Sequence, residues 1–187
     1  MKIAFIIDPI DGTTNFIHAI PHFAISIALE REGQLVSGLV FNPITDDMFV
    51  AERGHGAYLN DRRLRVAARK NLPESLIATG TPFLGKDGHE TFLGEMKAVM
   101  AATSGIRRFG SAALDLAFVA AGRYDGFWER NLKSWDIAAG IVLVREAGGV
   151  VSDLSNRDRM LDNGEILAAN DHLHKPLLEL IRNAPGA

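Results

Sequence analysis

Near the start of the chain an apolar run, Ile3 to Ile7, stops abruptly at Asp8-Pro9 and is followed by Asp11, Gly12, Thr13 and Thr14. An apolar run closed by Pro and Gly predicts a buried strand that opens into a tight turn. This turn carries two carboxylates, a bare backbone and two hydroxyls. Carboxylates held at a fixed turn suit a hard divalent cation, and free N–H groups with hydroxyls suit the anion such a cation would recruit. Asp-Pro and Asp-Gly are also ordinary turn formers. Turn formation accounts for either dipeptide alone, but not for both together at the end of one hydrophobic strand.

The next stretch alternates. Phe23, Ile25, Ile27 and Leu29 point one way and Ala24, Ser26 and Ala28 the other, which is a strand pattern. Turns at Glu32-Gly33-Gln34, Asn42-Pro43, Gly54-His55-Gly56 and Asn60-Asp61 separate further strands at Leu35–Phe41, Met48–Glu52, Ala57–Leu59 and Leu64–Val66. Short strands with hairpin punctuation predict an antiparallel meander. One face of its first strands is large and apolar, the other small enough for a helix to approach closely. No helix precedes these strands, so the cover is expected from outside this segment.

The second half changes rhythm. Strands are predicted at Ser75–Thr79, Ile106–Phe109, Tyr124–Glu129, Val150–Asp153 and Ile166–Ala169. Helices are predicted over His89–Thr103, over Ala112–Ala121 with Ser111 as cap, from Ser134 as cap through Ala147, and over His172–Asn183. Strand alternating with helix marks this half as α/β. The basic, Pro-containing stretch Val66–Pro73 is the best boundary, dividing 1–70 from 71–187 within a single compact unit.

With 187 residues, 47% hydrophobic and 23% charged, the chain can form a globular core. A net charge of −3 and a pI near 6.1 give no basic footprint, so nucleic acid is not expected as a direct ligand. The absence of cysteine excludes disulfides and thiolate metal sites and fits a reducing cytoplasm. No apolar run approaches the ~18 residues of a membrane span.

The second informative stretch is SWDIAAGIVLVREAGG, Ser134 to Gly149. Asp136 falls in the first turn of the predicted helix, where the helix dipole alone would favour an acid. DPIDGTTN at Asp8–Asn15 together with WDIAAGIVLVREAGG at Trp135–Gly149 resembles the two signature motifs of the inositol monophosphatase family. GSAALDLA at Gly110–Ala117 and YDGFWE at Tyr124–Glu129 extend the likeness over essentially the whole chain, and its flavour is that of the bacterial, cytoplasmic branch.

The resemblance implies a layered α/β sandwich: an antiparallel sheet, helices, and a second, mostly parallel sheet. It implies a Mg²⁺-dependent, lithium-sensitive phosphomonoesterase that uses two or three ions and forms a homodimer. Asp8, the backbone carbonyl of Ile10, Asp11 and Asp136 would hold metal. Gly12 and Thr13 would meet the phosphate, Thr13 would help Asp11 activate the attacking water, and Ser111, Ala112 and Glu129 would line the polyol side. An acidic pocket repels a phosphate dianion unless cations bridge the two, so the roles are physically coherent. Members of the family also carry an earlier helical segment and a hairpin that supplies a metal-binding Glu. Without that Glu this polypeptide is expected to bind Mg²⁺ weakly and turn over slowly.

Other signals carry less. His18 and His22 have helical metal-ligand spacing, but Pro21 lies between them. Arg107-Arg108 could greet an anion, and Trp128 and Trp135 could wall a pocket, although surface charge and packing are the ordinary readings. Arg62, Arg63, Arg65, Arg69 and Lys70 suit an edge that deters aggregation. Asp153, Asp158 and Asp162 read as loop acids. The motifs define the reaction better than the alcohol: inositol monophosphate or a similar polyol phosphate comes first, with fructose bisphosphate, nucleotide 3′-phosphate or NADP as alternatives. A role as a binding partner in transcription or RNA complexes is the non-catalytic alternative.

Overall fold

The structure is a computed structural model that describes residues 2–185. Its first layer is a six-stranded sheet whose strands follow sequence order: β1 (Ile3–Asp11), β2 (Ala24–Arg31), β3 (Gln34–Asn42), β4 (Asp47–Glu52), β5 (Gly56–Leu59) and β6 (Arg62–Arg63). Every neighbouring pair is antiparallel, as the hairpin punctuation requires. A short helix, α1 (Thr13–Ile17), follows β1.

The remaining elements are β7 (Leu76–Thr79), α2 (His89–Ala102), β8 (Gly105–Arg107), α3 (Ala112–Ala120), β9 (Gly126–Glu129), α4 (Ser134–Glu146), β10 (Val150–Ser152), α5 (Met160–Asn163), β11 (Ile166–Ala169) and α6 (Asp171–Arg182). They build a five-stranded sheet of order β10-β11-β9-β7-β8. The fold is the expected α/β layering, but this sheet is mixed rather than mostly parallel. β7 runs parallel to β8 and β9, while β9–β11 and β11–β10 are antiparallel. The connection from β10 through α5 returns the chain antiparallel beside β10 as β11.

Helices α3 and α4 pack against each other and lie between the sheets. The small-residue face of the first sheet is the one they cover: Ala24, Ser26, Ala28, Val40, Phe49 and Ala51 are all buried. The approach is close enough that a Cβ on Gly38 would sit 2.5 Å from the carbonyl oxygen of Ala139 on α4. The cover therefore comes from later in the chain. The opposite face stays open, with Ile3, Phe5, Ile7 and Ile25 exposed. β1 is thus half-buried on one side and exposed on the other, which corrects the expectation of a buried strand.

Two local departures shape the region around Asp8 and Asp136. β1 does not end at Asp8-Pro9 but continues to Asp11 across a register shift between Asp8 and Asp11. A strand edge tolerates Pro there, and the bulge re-aims the side chains beyond it. Ser134 is the first residue of α4 rather than its cap, and Lys133 takes the cap position. The Lys133 N–H is held by Asp136 Oδ2 at 2.7 Å. Ser111 does cap α3, accepting from the Leu114 N–H.

Candidate metal centre and its pocket

The bulge in β1 and the first turn of α4 meet at one point. Asp8 points to the side of the sheet that α4 covers, opposite Ser26, whose hydroxyl donates to the carbonyl of Trp135 at 3.3 Å. Asp136 arrives from α4, and Asp11 lies past the bulge. Asp8, Asp11 and Asp136 each offer an oxygen within 4.8 Å of the others, forming the one such acidic group among the described residues. An all-carboxylate donor set of this kind fits a hard, oxygen-seeking cation such as Mg²⁺.

Each carboxylate is held. Asp8 Oδ1 accepts from the Ile10 N–H at 3.0 Å. Asp11 Oδ2 accepts from the Ala113 N–H at 2.9 Å and from the Ser111 hydroxyl, so it sits on the N-terminus of α3. Burial nevertheless pushes the Asp11 carboxyl up to about 7, outweighing the hydrogen bonds that lower it, and Asp136 and Asp8 add repulsion. Burial also raises Asp136, with Asp8 adding repulsion, against the opposing Lys133 N–H. Carboxyls this crowded resist sharing their charge unless a cation neutralises it.

The turn itself is built for close approach. Gly12 has φ +84°, and a Cβ there would meet the carbonyl oxygens of His22 at 3.1 Å and Gly110 at 3.3 Å. Thr13 Oγ1 donates to the Ile10 carbonyl at 2.9 Å. Asn15, buried, ties the turn to the far half by donating to the carbonyls of His22 and Phe109 at 2.8 and 2.7 Å.

Beside this centre lies a cavity of about 150 Å³ between the loops that follow β7 and β9. Glu129 and Asp136 line it together with Thr81, Lys86, Phe92 and Trp128. Glu129 ends β9 and presses on Gly80 so closely that any Cβ there would overlap its carboxyl group. Burial, then Asp11, pushes Glu129 up to about 8, with Arg108 and Lys86 pulling the other way.

The structure brings Asp8, Asp11 and Asp136 together, with Ile10, Gly12 and Thr13 in the same turn and Glu129 on the adjacent wall. Ser111 and Ala112 are buried beneath Asp11 and do not line the cavity. The Ser111 hydroxyl is spent on Asp11 and on capping α3. Trp128 is both core and cavity wall, whereas Trp135 is half exposed and outside it. His22 packs at an angle against the Phe109 ring and edge-on to Phe118, and joins no metal-binding group among the described residues. Asp153 is no free loop acid: it is fully buried and accepts from the Ser155 and Arg157 N–H groups and from Asn163.

Sequence reasoning missed Gly80, Lys86 and Asp115. Asp115 is buried in α3 with Oδ1 unpartnered, and its carboxyl is raised well above the ordinary range by burial and then by Glu129 and Asp11. A lone acid inside the otherwise apolar run Ala112–Ala120 was the signal available for it. Gly80 and Lys86 left no such signal, because only the folded loops bring them to Glu129.

A layered α/β fold with an acidic centre between its halves defines the class, and comparison with known proteins places the chain within it. The family model for the inositol monophosphatase family matches residues 2–185. The chain belongs to the inositol monophosphatase family. It is 58% identical over 178 residues to the inositol-1-monophosphatase of Rhizobium meliloti (strain 1021), covering 95% of this chain and 67% of that protein. It is 50% identical over 180 residues to the Nus factor SuhB of Pseudomonas aeruginosa, covering 95% of this chain and 66% of the relative. The crystal structure of the extragenic suppressor protein suhB from Bartonella henselae superposes with a TM-score of 0.95 at 55% identity, covering 97% of this chain and 70% of that one. The chain thus spans about two thirds of the length of the curated relatives it matches.

Proposed function

We propose that this chain is a Mg²⁺-dependent phosphomonoesterase acting on inositol monophosphate or a similar small polyol phosphate. The observation that carries the reading is the convergence of Asp8, Asp11 and Asp136, from a strand bulge and a helix start, within 4.8 Å of one another. Asp8, the Ile10 carbonyl, Asp11 and Asp136 are assigned to the metal. Bound there, Mg²⁺ would supply the positive charge that admits a phosphate dianion to an acidic pocket and steadies charge on the leaving alcohol.

The chain's own groups do the rest. The bare backbone at Gly12 and Thr13 receives phosphate oxygens. Thr13 Oγ1, oriented by the Ile10 carbonyl, and Asp11 position the attacking water. Glu129, raised by burial to about 8 in the metal-free protein, lines the cavity and hydrogen-bonds a hydroxyl of the polyol. The raised carboxyls of Asp11 and Asp136 lose their protons as cation enters, so cation affinity rises with pH.

Phosphate release from inositol 1-phosphate, with and without Mg²⁺ and Li⁺, tests this. Wild type is expected to need Mg²⁺ and to be inhibited by Li⁺, and Asp11→Asn to lose at least about 100-fold in kcat/KM. Release that is indifferent to Mg²⁺, or undiminished in Asp11→Asn, would sink the proposal. The 50% identity to a relative named Nus factor SuhB supports a second reading, a partner in a transcription complex. Binding to RNA or to a transcription factor that persists in Asp11→Asn while hydrolysis is absent from wild type would favour it.

A further inference from the structure

The cavity beside Glu129 holds more charge than a neutral polyol needs. Its wall carries two cations, Arg130 and Lys86. Arg130 is spent: it donates to Glu95 through Nε at 2.9 Å and Nη2 at 2.7 Å, and through Nη1 to Glu165. Glu95 is spent as well, since its second oxygen accepts from Trp128 Nε1 at 3.1 Å. Lys86 is different. Its Nζ donates to the carbonyl of Asn131 at 3.0 Å and stands 5.5 Å from the centre of the Phe83 ring. Among the described residues it makes no ion pair. One neutral acceptor leaves two of an ammonium's three donors unmatched on a side chain that lines the cavity.

The location gives that spare charge a use. Lys86 lies in the loop between β7 and α2, and its partner Asn131 in the loop between β9 and α4, so its bond ties together two loops that line the cavity. Glu129 and Asp136 line the same cavity, and the Lys86 charge reaches both, opposing the rise in their pKa values. Asp87 shares the loop with Lys86, and Phe92 and Trp128 add apolar surface, so among the described residues Lys86 is the one cation of the lining not already matched by a carboxylate in an ion pair. A volume of about 150 Å³ holds several waters' worth of ligand.

We propose that Lys86, which lines the same cavity as Glu129 and Asp136, is a specificity-determining residue that seats a second anionic group on the alcohol portion of the substrate. The inference rests on the phosphatase reading above. It adds to inositol monophosphate those phosphomonoesters that carry a further phosphate or carboxylate, and the site binds these more tightly than analogues without the second anion. The scissile phosphate occupies the Gly12–Thr13 turn, the carbon body crosses the cavity, and the second anion meets the ammonium. A charge-assisted hydrogen bond of this kind separates doubly from singly anionic substrates.

The test compares wild type with Lys86→Met on three substrates: glycerol 2-phosphate, with no second anion; 3-phosphoglycerate, with a carboxylate; and fructose 1,6-bisphosphate, with a phosphate. The variant is expected to raise KM about tenfold for the second or third probe, leaving kcat and the KM for glycerol 2-phosphate within about twofold, and Lys86→Arg is expected to restore the preference. Which doubly anionic probe responds identifies the anion. An equal change for all three probes, or no change for any, overturns the proposal. Calorimetric binding of the same probes reads Lys86 without turnover. If wild type releases phosphate from none of them, the phosphatase reading fails. The anion seat then stands if fructose 1,6-bisphosphate or 3-phosphoglycerate binds Lys86→Met about tenfold more weakly, and falls if each binds both proteins alike.

Discussion

On one face of the six-stranded sheet, Ala24, Ala28, Val40, Phe49 and Ala51 lie buried under α3 and α4, whereas on the other, Ile3, Phe5, Ile7 and Ile25 look outward. Both faces are apolar, so hydrophobicity alone does not say which one positions the site. Side-chain size does. Small residues on β2 and β3 let the backbone of α4 come within contact of the sheet, and that approach brings Asp136 to Asp8 and Asp11. The open face has larger side chains and no element of the described residues to locate. If this division is right, substitutions on the covered face disturb both stability and the acidic centre, and substitutions on the open face disturb neither.

The largest expected effect is Phe49→Ala. Phe49 is fully buried, and removing a buried aromatic typically costs about 3–5 kcal/mol. Phe5, 66% exposed on the same sheet, is expected to stay within about 0.5 kcal/mol when changed to Ala. Chemical denaturation of the two variants decides it, and losses of similar size would break the comparison. Next comes Gly38→Ala. The new Cβ would lie 2.5 Å from the Ala139 carbonyl oxygen, backbone against backbone, so the sheet and α4 must part. Overpacking of this kind costs about 1–3 kcal/mol. Because α4 carries Asp136, the stabilisation by Mg²⁺ should shrink too, an effect that Ile25→Ala on the open face should not show.

A third prediction uses pH. Asp11, ordinarily near 3.8, is held at about 7, and Glu129, ordinarily near 4.5, at about 8. An acid raised on folding binds its proton more tightly in the native state. Its contribution is complete below the unfolded value and is lost as pH climbs through the folded one. The metal-free protein should therefore lose stability between pH 5 and 8. His22 and His174, both lowered by burial, work in the opposite direction below their ordinary 6.5. The raised carboxyls of Asp115 and Asp136 act in the same direction as Asp11 and Glu129, so the net expectation is a Tm that falls from pH 5 to pH 8. Added Mg²⁺ should raise Tm more at pH 8 than at pH 5, and Asp11→Asn should flatten the slope. A Tm that rises from pH 5 to 8 without metal would show that the acids are not crowded as described.

How far the sequence foretells this depends on where each constraint is local. The acidic turn, the α4 motif and β11 are legible because spacing and apolar runs are properties of neighbours in the chain. The apolar run places Ile166–Ala169 residue for residue. Helix α1 is invisible: its five residues begin after Gly12 with no side-chain cap, and tertiary bonds through Asn15 hold it. Alternation in β2 shows that two faces exist but not which one a helix covers, since that depends on a helix more than a hundred residues away. Gly80 and Lys86 become meaningful only when the loops after β7 and β9 meet, whereas Asp115 stands out as a lone acid in an apolar helix. The reversal into β11 likewise turns a sheet expected to be mostly parallel into a mixed one.

The smallest effect in stability is also the sharpest probe of the open face. Phe5 and Ile7 lie on β1, an edge strand, with Ile27 and Leu29 opposite them on β2. Changing both to Thr keeps β-propensity while removing apolar surface, so folding should shift by no more than about 0.5 kcal/mol. An outward apolar patch of this kind recruits hydrophobic dyes. The wild-type chain should therefore enhance the fluorescence of such a dye at neutral pH, and the double variant should do so less, with near-ultraviolet circular dichroism unchanged. If the double variant instead loses more than about 1.5 kcal/mol, Phe5 and Ile7 are packed against something in solution, and the two faces differ in what covers them rather than in whether they are covered.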